Sequence, residues 1–211
     1  TYVIGGPENI QERHLLPHET KSAALVRFVS LFSSLGLDVF QLRFKNSSDT
    51  DFMKLANEIV KVLKNTSCKL CINDNVQVVN KLSKDVDILH IGQNDMKPEL
   101  AKNQISSTVK IGLSITDLNQ IQNIPNFINY IGVGPIFPTE SKTDASKAMG
   151  ELILEEIIKK VDIPVVAIGG IKLKNINKLK CMGVSGFAMI SEIFSSIDPE
   201  KKFKEFKKIA K

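Results

Sequence analysis

Eight short runs of β-branched and other apolar residues punctuate this chain, and each leads into a stretch whose apolar residues recur at helical spacing. That alternation constrains the fold more than any other feature. Repeated strand-then-helix units bury their strands only when parallel strands align in one sheet with the helices packed over it. The runs cover residues 2–5, 39–43, 70–73, 88–91, 109–113, 130–133, 164–168 and 186–190. Between them, residues 22–35 set Leu25, Phe28, Val29 and Phe32 on one stripe, and residues 51–63 do the same with Phe52, Leu55, Ile59 and Val62. Shorter helices are expected near 76–82 and 118–121. Eight such units predict an α/β chain folded as a TIM-type (β/α)8 barrel, one compact domain over residues 1–211. A doubly wound open sheet uses the same alternation, but the first strand here is not followed by a glycine-rich dinucleotide loop.

An apolar fraction of 43% with 24% charged residues is the balance of a globular protein, and no stretch is long and apolar enough to span a bilayer. The formal charge of +5 suggests a nucleic-acid partner until its location is examined. Residues 201–211 hold six Lys and one Glu, which accounts for the whole excess. Phe203, Phe206 and Ile209 within that segment follow helical spacing, so the lysines read as the solvated face of a terminal helix. Neither a nucleic acid nor a membrane is therefore an expected partner, while homo-oligomerisation is left open. Cys68, Cys71 and Cys181 are too few and too irregularly spaced for a disulfide framework and read as free core thiols. Cys68 and Cys71 form a C-x-x-C, but a strand points them to opposite faces, and no second pair follows to complete a metal site. The chain starts at Thr1, which leaves a removed leader open, and no segment has the pattern of a signal peptide. The expected compartment is the cytosol.

Barrel enzymes assemble their sites at the C-terminal ends of the strands, so the residues there carry the functional signal. Gln41, Arg43 and Lys45 alternate with Leu42 and Phe44, which places three polar heads on one face at the end of the second strand. A guanidinium fork beside an ammonium suits a diphosphate. Asp74 and Asp95 end the third and fourth strands. Facing carboxylates repel unless a cation lies between them, and hard oxygen ligands beside a diphosphate select magnesium. The alternative is that each Asp caps the helix that follows it. Ser114 ends the fifth strand. After the sixth comes a segment running through Pro135, Pro138, Thr139, Glu140, Ser141 and Lys142, a short donor-rich loop able to close on phosphate oxygens. Gly169 and Gly170 follow the seventh strand, and Ile190 and Ser191 the eighth. These last two loops often bind phosphate in barrels, and a helix beginning at Ser191 would add its positive end. His90 reads as a hydrogen-bonding residue inside the barrel, and His14 and His18 have no evident role.

The ordered set QLRFK at 41–45, IND at 72–74, HIGQND at 90–95, GLS at 112–114, GVGPIFPTESK at 132–142, AIGGI at 167–171 and Ile190–Ser191 resembles the thiamine-phosphate synthase family over the whole chain. The resemblance implies that Gln41, Arg43, Lys45, Asn73, Ser114 and Lys142 hold an aminopyrimidine diphosphate, with Asp74 and Asp95 on Mg2+. It implies further that Thr139, Ser141, Gly170, Ile190 and Ser191 hold a thiazole phosphate. The implied reaction joins these two small molecules with loss of pyrophosphate, Arg43, Lys45 and Lys142 neutralising the departing charge. Four positions depart from the pattern. Phe44 replaces an acidic residue and should point away from the mouth, while Ser141 stands where Thr is common. Thr116 occupies the place of a frequent histidine, and Asn75 that of a basic or aromatic residue. Two other readings are a thiazole tautomerase on the same barrel, which has no diphosphate to bind, and a non-catalytic barrel that senses a phosphate ligand.

Overall fold

The computed structural model of the protein describes residues 1–139 and 147–210. Its strands are β1 (Tyr2–Gly5), β2 (Val39–Leu42), β3 (Lys69–Asn73), β4 (Ile88–Ile91), β5 (Lys110–Ile115), β6 (Tyr130–Val133), β7 (Val165–Ile168) and β8 (Gly186–Met189). Each pairs in parallel with its sequence neighbours, and β8 returns to β1, giving the expected closed barrel. The helices are α1 (Lys21–Ser34), α2 (Asp49–Leu63), α3 (Val76–Lys81), α4 (Pro98–Gln104), α5 (Gly150–Lys160), α6 (Leu173–Cys181), α7 (Ser191–Phe194) and α8 (Pro199–Ala210).

Strand periodicity splits the core in two. Val3, Phe40, Leu70, Ile72, Leu89, Ile91, Ile111 and Ile131 point outward into one continuous apolar layer beneath the helices. Tyr2, Ile4, Cys71, Ile88, Tyr130, Ala188 and Ile190 form a separate, smaller cluster inside the barrel. The stripe on α1 behaves as its spacing predicts, with Leu25, Phe28, Val29 and Phe32 all buried. On α2, Phe52, Leu55 and Ile59 are buried, whereas Val62 is only partly so and Leu63 takes the last buried position.

Several boundaries differ from those expected. Strand β5 runs on to Ile115, so Ser114 lies inside a strand and faces the lumen. Strands β2 and β8 stop one residue early, which leaves Arg43 and Ile190 in the turns just past them. The segment near 118–121 is a 3-10 helix, Leu118–Asn123, with no buried residue. Asp117 accepts from the Asn119 amide, and the Gln120 carbonyl accepts from the Thr116 amide, so local side chains take up the turn's donors in place of an apolar stripe.

In α8, Phe203 and Phe206 are buried and Ile209 packs against the same layer, while Lys201, Lys204 and Lys208 are exposed, as a solvated basic face requires. Phe203 stacks on Phe32 of α1 with ring centroids 4.7 Å apart. Phe203→Ala is expected to lower the unfolding free energy by about 3–5 kcal/mol, the cost of a large buried cavity, as read by urea denaturation. Cys68 belongs to the outer apolar layer and Cys71 to the inner cluster, on opposite sides of the barrel wall. Burial pushes both thiols up to about 12. Cys181 is exposed, not a core thiol, because the inward face of α6 is taken by Ile176 and Leu179.

Candidate active site

The C-terminal mouth of the barrel opens on a cavity of about 280 Å3. Gln41, Arg43, Lys45, Asn73, Asp74, Asp95 and Ser114 line it, and so do Thr139, Gly169, Gly170, Ile190 and Ser191. Ser141 and Lys142 lie outside the described residues.

On the β2 side, Gln41 and Arg43 are almost fully enclosed, at 2% and 8% exposure. Phe44 turns the other way, its ring 6.3 Å from that of Phe52 in the outer layer, so an apolar residue there leaves the mouth untouched. Glu8, in the 3-10 turn Pro7–Asn9 after β1, sits beside this cation pair. Glu8 is exposed, yet partial desolvation raises its carboxyl above the ordinary range, an effect opposed by hydrogen bonds from its own and the Lys45 backbone and by the charges of Arg43 and Lys45. Sequence reasoning missed Glu8. Its only signal was an acidic residue just past the first strand, in a loop that pattern analysis passes over.

Neither candidate metal ligand caps a helix. The cap of α3 is Asn75, whose side chain accepts from the Val78 amide, and the cap of α4 is Lys97, which makes no side-chain cap bond. Asp74 instead stands at φ +60°, in the left-handed region that Asp tolerates better than most residues, with its amide donating to the His90 carbonyl at 2.8 Å. Its carboxylate accepts from the Asn73 side-chain amide. Asp95 folds back over β4, Oδ2 accepting from the Gly92 amide at 2.8 Å. A Cβ on Gly92 would lie 2.7 Å from that oxygen, so glycine there is a condition for the carboxylate's placement. The donor set is therefore two carboxylates on one cavity. Among the described residues no three His, Cys, Asp or Glu side chains form a group able to hold a metal ion. Two hard carboxylates, with water and substrate phosphate completing the shell, match the way magnesium is usually bound and fit the expected ion.

Opposite this cluster the lining changes character. The loop after β6 is clasped to the loop after β7 by the Ile136 amide on the Ile168 carbonyl at 2.9 Å and the Phe137 amide on the Gly169 carbonyl at 3.0 Å. Gly170 has φ +64°, and a Cβ there would lie 2.6 Å from that of Phe137. Packing between the two loops thus demands this glycine whatever it also offers a ligand. Helix α7 does begin at Ser191 but has only four residues, too few aligned peptide dipoles to give the strong positive end expected for it. Thr116 lines the cavity with its hydroxyl held by Gln120.

The floor contains three residues that sequence reasoning gave no ligand role. His90 bonds Tyr130 Oη through Nδ1 at 2.8 Å and Ser114 Oγ through Nε2 at 2.9 Å, and is thus the internal hydrogen-bonding residue it was expected to be. Tyr2 and Tyr130 bond each other at 2.8 Å, and burial raises both phenols well above their ordinary range.

The family model for thiamine monophosphate synthase matches residues 15–193. The chain belongs to the thiamine monophosphate synthase family. It is 36% identical over 177 residues to the thiamine-phosphate synthase of Methanobrevibacter smithii, covering 82% of this chain and 83% of that one. Against the thiamine-phosphate synthase of Clostridioides difficile it is 37% identical over 174 residues, with coverages of 82% and 81%. The structure of thiamine phosphate pyrophosphorylase from Pyrococcus furiosus superposes with a TM-score of 0.80 at 29% identity, covering 99% of this chain and 93% of that one. In this family setting, the described members of the expected site set converge on one cavity from seven strand ends. No helix among the described residues is long and apolar enough to cross a membrane.

Proposed function

We propose that this protein joins an aminopyrimidine carrying a methylene diphosphate to a thiazole phosphate, giving thiamine monophosphate and pyrophosphate. The observation that carries the proposal is the division of one cavity into two unlike ends. Arg43, Lys45, Asp74 and Asp95 come from the ends of β2, β3 and β4, and the backbone-rich turns at Gly169, Gly170, Ile190 and Ser191 from the ends of β7 and β8. A barrel that handled only a thiazole phosphate would have no use for the first group.

In the proposed step the methylene carbon–oxygen bond breaks, the diphosphate leaves with the electron pair, and the thiazole nitrogen's lone pair forms the new carbon–nitrogen bond. No protein nucleophile is required. The chain's contribution is placement and charge. Arg43 grips diphosphate oxygens with a forked pair of hydrogen bonds, and Lys45 adds a point charge. Lys142, outside the described residues, is proposed to join them. Gln41, Asn73 and Ser114 hold the pyrimidine, while Thr139, Ser141, Gly169, Gly170, Ile190 and Ser191 take the thiazole phosphate and fix the angle of attack. Asp74 and Asp95 would hold magnesium, which when bound supplies positive charge against the leaving diphosphate. The substrates are small diffusible molecules, and three unpaired cysteines, one of them exposed, suit a reducing cytosol.

With both substrates and magnesium, the purified protein is expected to release pyrophosphate and form thiamine monophosphate in equal amounts, and to do neither when the metal is chelated. Tight binding of both substrates with no product under any divalent ion would replace the synthase with a ligand-binding barrel.

A further inference from the structure

We infer that a hydrogen-bonded chain of fixed direction crosses the barrel interior and ends on Asp74, making Tyr2, Tyr130 and His90 positioning residues that oblige the Ser114 hydroxyl to accept a hydrogen bond from the substrate. The direction follows from counting protons along the hydrogen-bond geometry, beginning at Asn73, whose side-chain NH2 donates to Asp74 Oδ2. The Asn73 carbonyl then accepts from Gln41 Nε2 at 2.6 Å, which turns the Gln41 carbonyl toward Tyr2. Tyr2 donates its only proton to that carbonyl at 2.9 Å. In the 2.8 Å contact between the two phenols Tyr2 can therefore only accept, and Tyr130 spends its own proton there. With Tyr130 committed, its oxygen accepts from His90, so the proton of the neutral imidazole is on Nδ1. Nε2 is then a bare acceptor, filled by the Ser114 hydroxyl at 2.9 Å. Ser114, at the cavity wall, has only lone pairs left for a ligand.

The chain is buried where it matters. Tyr2, Gln41, His90 and Tyr130 are each at most 9% exposed, so water cannot readily substitute for a missing partner. The consequence is a rule about the substrate, and it rests on the proposed function. Ser114 meets an N–H donor, the exocyclic amine of an aminopyrimidine, and not a diphosphate oxygen. A pyrimidine with an oxo group in place of the amine would set lone pair against lone pair and lose turnover by roughly 10- to 100-fold.

The test uses 15N-histidine-labelled full-length protein without substrate. The sequence has three His, and His90 is assigned as the signal lost in His90→Asn. His14 is an internal contrast, since its Nε2 contacts the Ser196 carbonyl at 2.8 Å and so carries the proton. Wild-type His90 is expected to show protonated Nδ1 and bare Nε2. Tyr2→Phe removes a hydroxyl two steps away and lets Tyr130 donate to Nδ1, so the His90 proton should move to Nε2. Discrimination between amino- and oxo-pyrimidine diphosphates should then fall by about tenfold or more, as Ser114 regains a proton to donate. A structural loss alone would lower both substrates equally and leave the tautomer in place. Should Tyr2→Phe not fold, Tyr130→Phe should give mixed tautomers. Wild-type His90 with Nε2 protonated, or with both nitrogens protonated, overturns the chain, as does an unchanged tautomer in Tyr2→Phe. The expected tautomer with equal use of both pyrimidines overturns the Ser114 rule. The expected tautomer with no turnover of either sinks the synthase proposal and leaves the chain standing.

Discussion

Asp74→Asn and Asp95→Asn are each expected to cut magnesium-dependent turnover by about three orders of magnitude while leaving the barrel folded. The size follows from losing a charge that holds a cation against a leaving diphosphate, an electrostatic contribution of several kcal/mol in a partly enclosed site. Asparagine is the informative substitution because of the local geometry. At position 74 the backbone lies at φ +60°, which Asn tolerates and Ala does not, so Asp74→Ala would mix a metal effect with strain of about 1–2 kcal/mol. At position 95 an amide oxygen can still accept from the Gly92 amide, which keeps the turn while removing the charge. Neither residue caps a helix and Asp95 is exposed, so circular dichroism and the denaturation midpoint should change little. The measurement is initial rate against magnesium concentration. Full activity of the double variant at limiting magnesium would remove both carboxylates from the metal site.

The same geometry explains what sequence made legible. Strands β1, β4 and β6 begin and end where their apolar runs do, because both faces of a barrel strand are buried and the run stops when burial stops. Strand β5 extends past its expected end because Ser114 is polar yet faces a lumen that is itself polar at that level. Polar residues past a strand were readable as site candidates for the same reason, since they could not be core. Polar groups within the strands were harder to interpret. Tyr2 and Tyr130 look like ordinary strand residues, and only the closure of β8 onto β1 and the register around the barrel bring their hydroxyls together. Glu8 was hidden for the opposite reason, because its nearness to Arg43 and Lys45 depends on the course of the turn after β1 and not on strand periodicity. The choice between capping and metal binding for the two aspartates also needed coordinates. Asn75 and Lys97, one and two residues further on, turned out to hold the cap positions.

Arg43→Ala should weaken binding of the pyrimidine diphosphate by about 2–5 kcal/mol, or roughly thirtyfold to several thousandfold. The estimate belongs to a charge that is desolvated, and Arg43 qualifies at 8% exposure on the cavity wall. An exposed lysine making a similar contact would contribute far less, because water screens it and competes for the phosphate. Arg43→Lys should recover only part of the loss, since an ammonium keeps the charge without the planar fork. Glu8 adds a second consequence. Arg43 is one of the charges opposing the partial desolvation that raises the Glu8 carboxyl, so its removal should raise that carboxyl further. Titration with inorganic pyrophosphate and magnesium, alongside KM for each substrate, separates the possibilities. KM for the pyrimidine diphosphate should rise steeply while KM for the thiazole phosphate stays nearly constant, because Gly169, Gly170, Ile190 and Ser191 make no use of the guanidinium. An unchanged pyrophosphate affinity would take Arg43 out of the diphosphate site and leave Lys45 as the only described residue proposed to meet that charge.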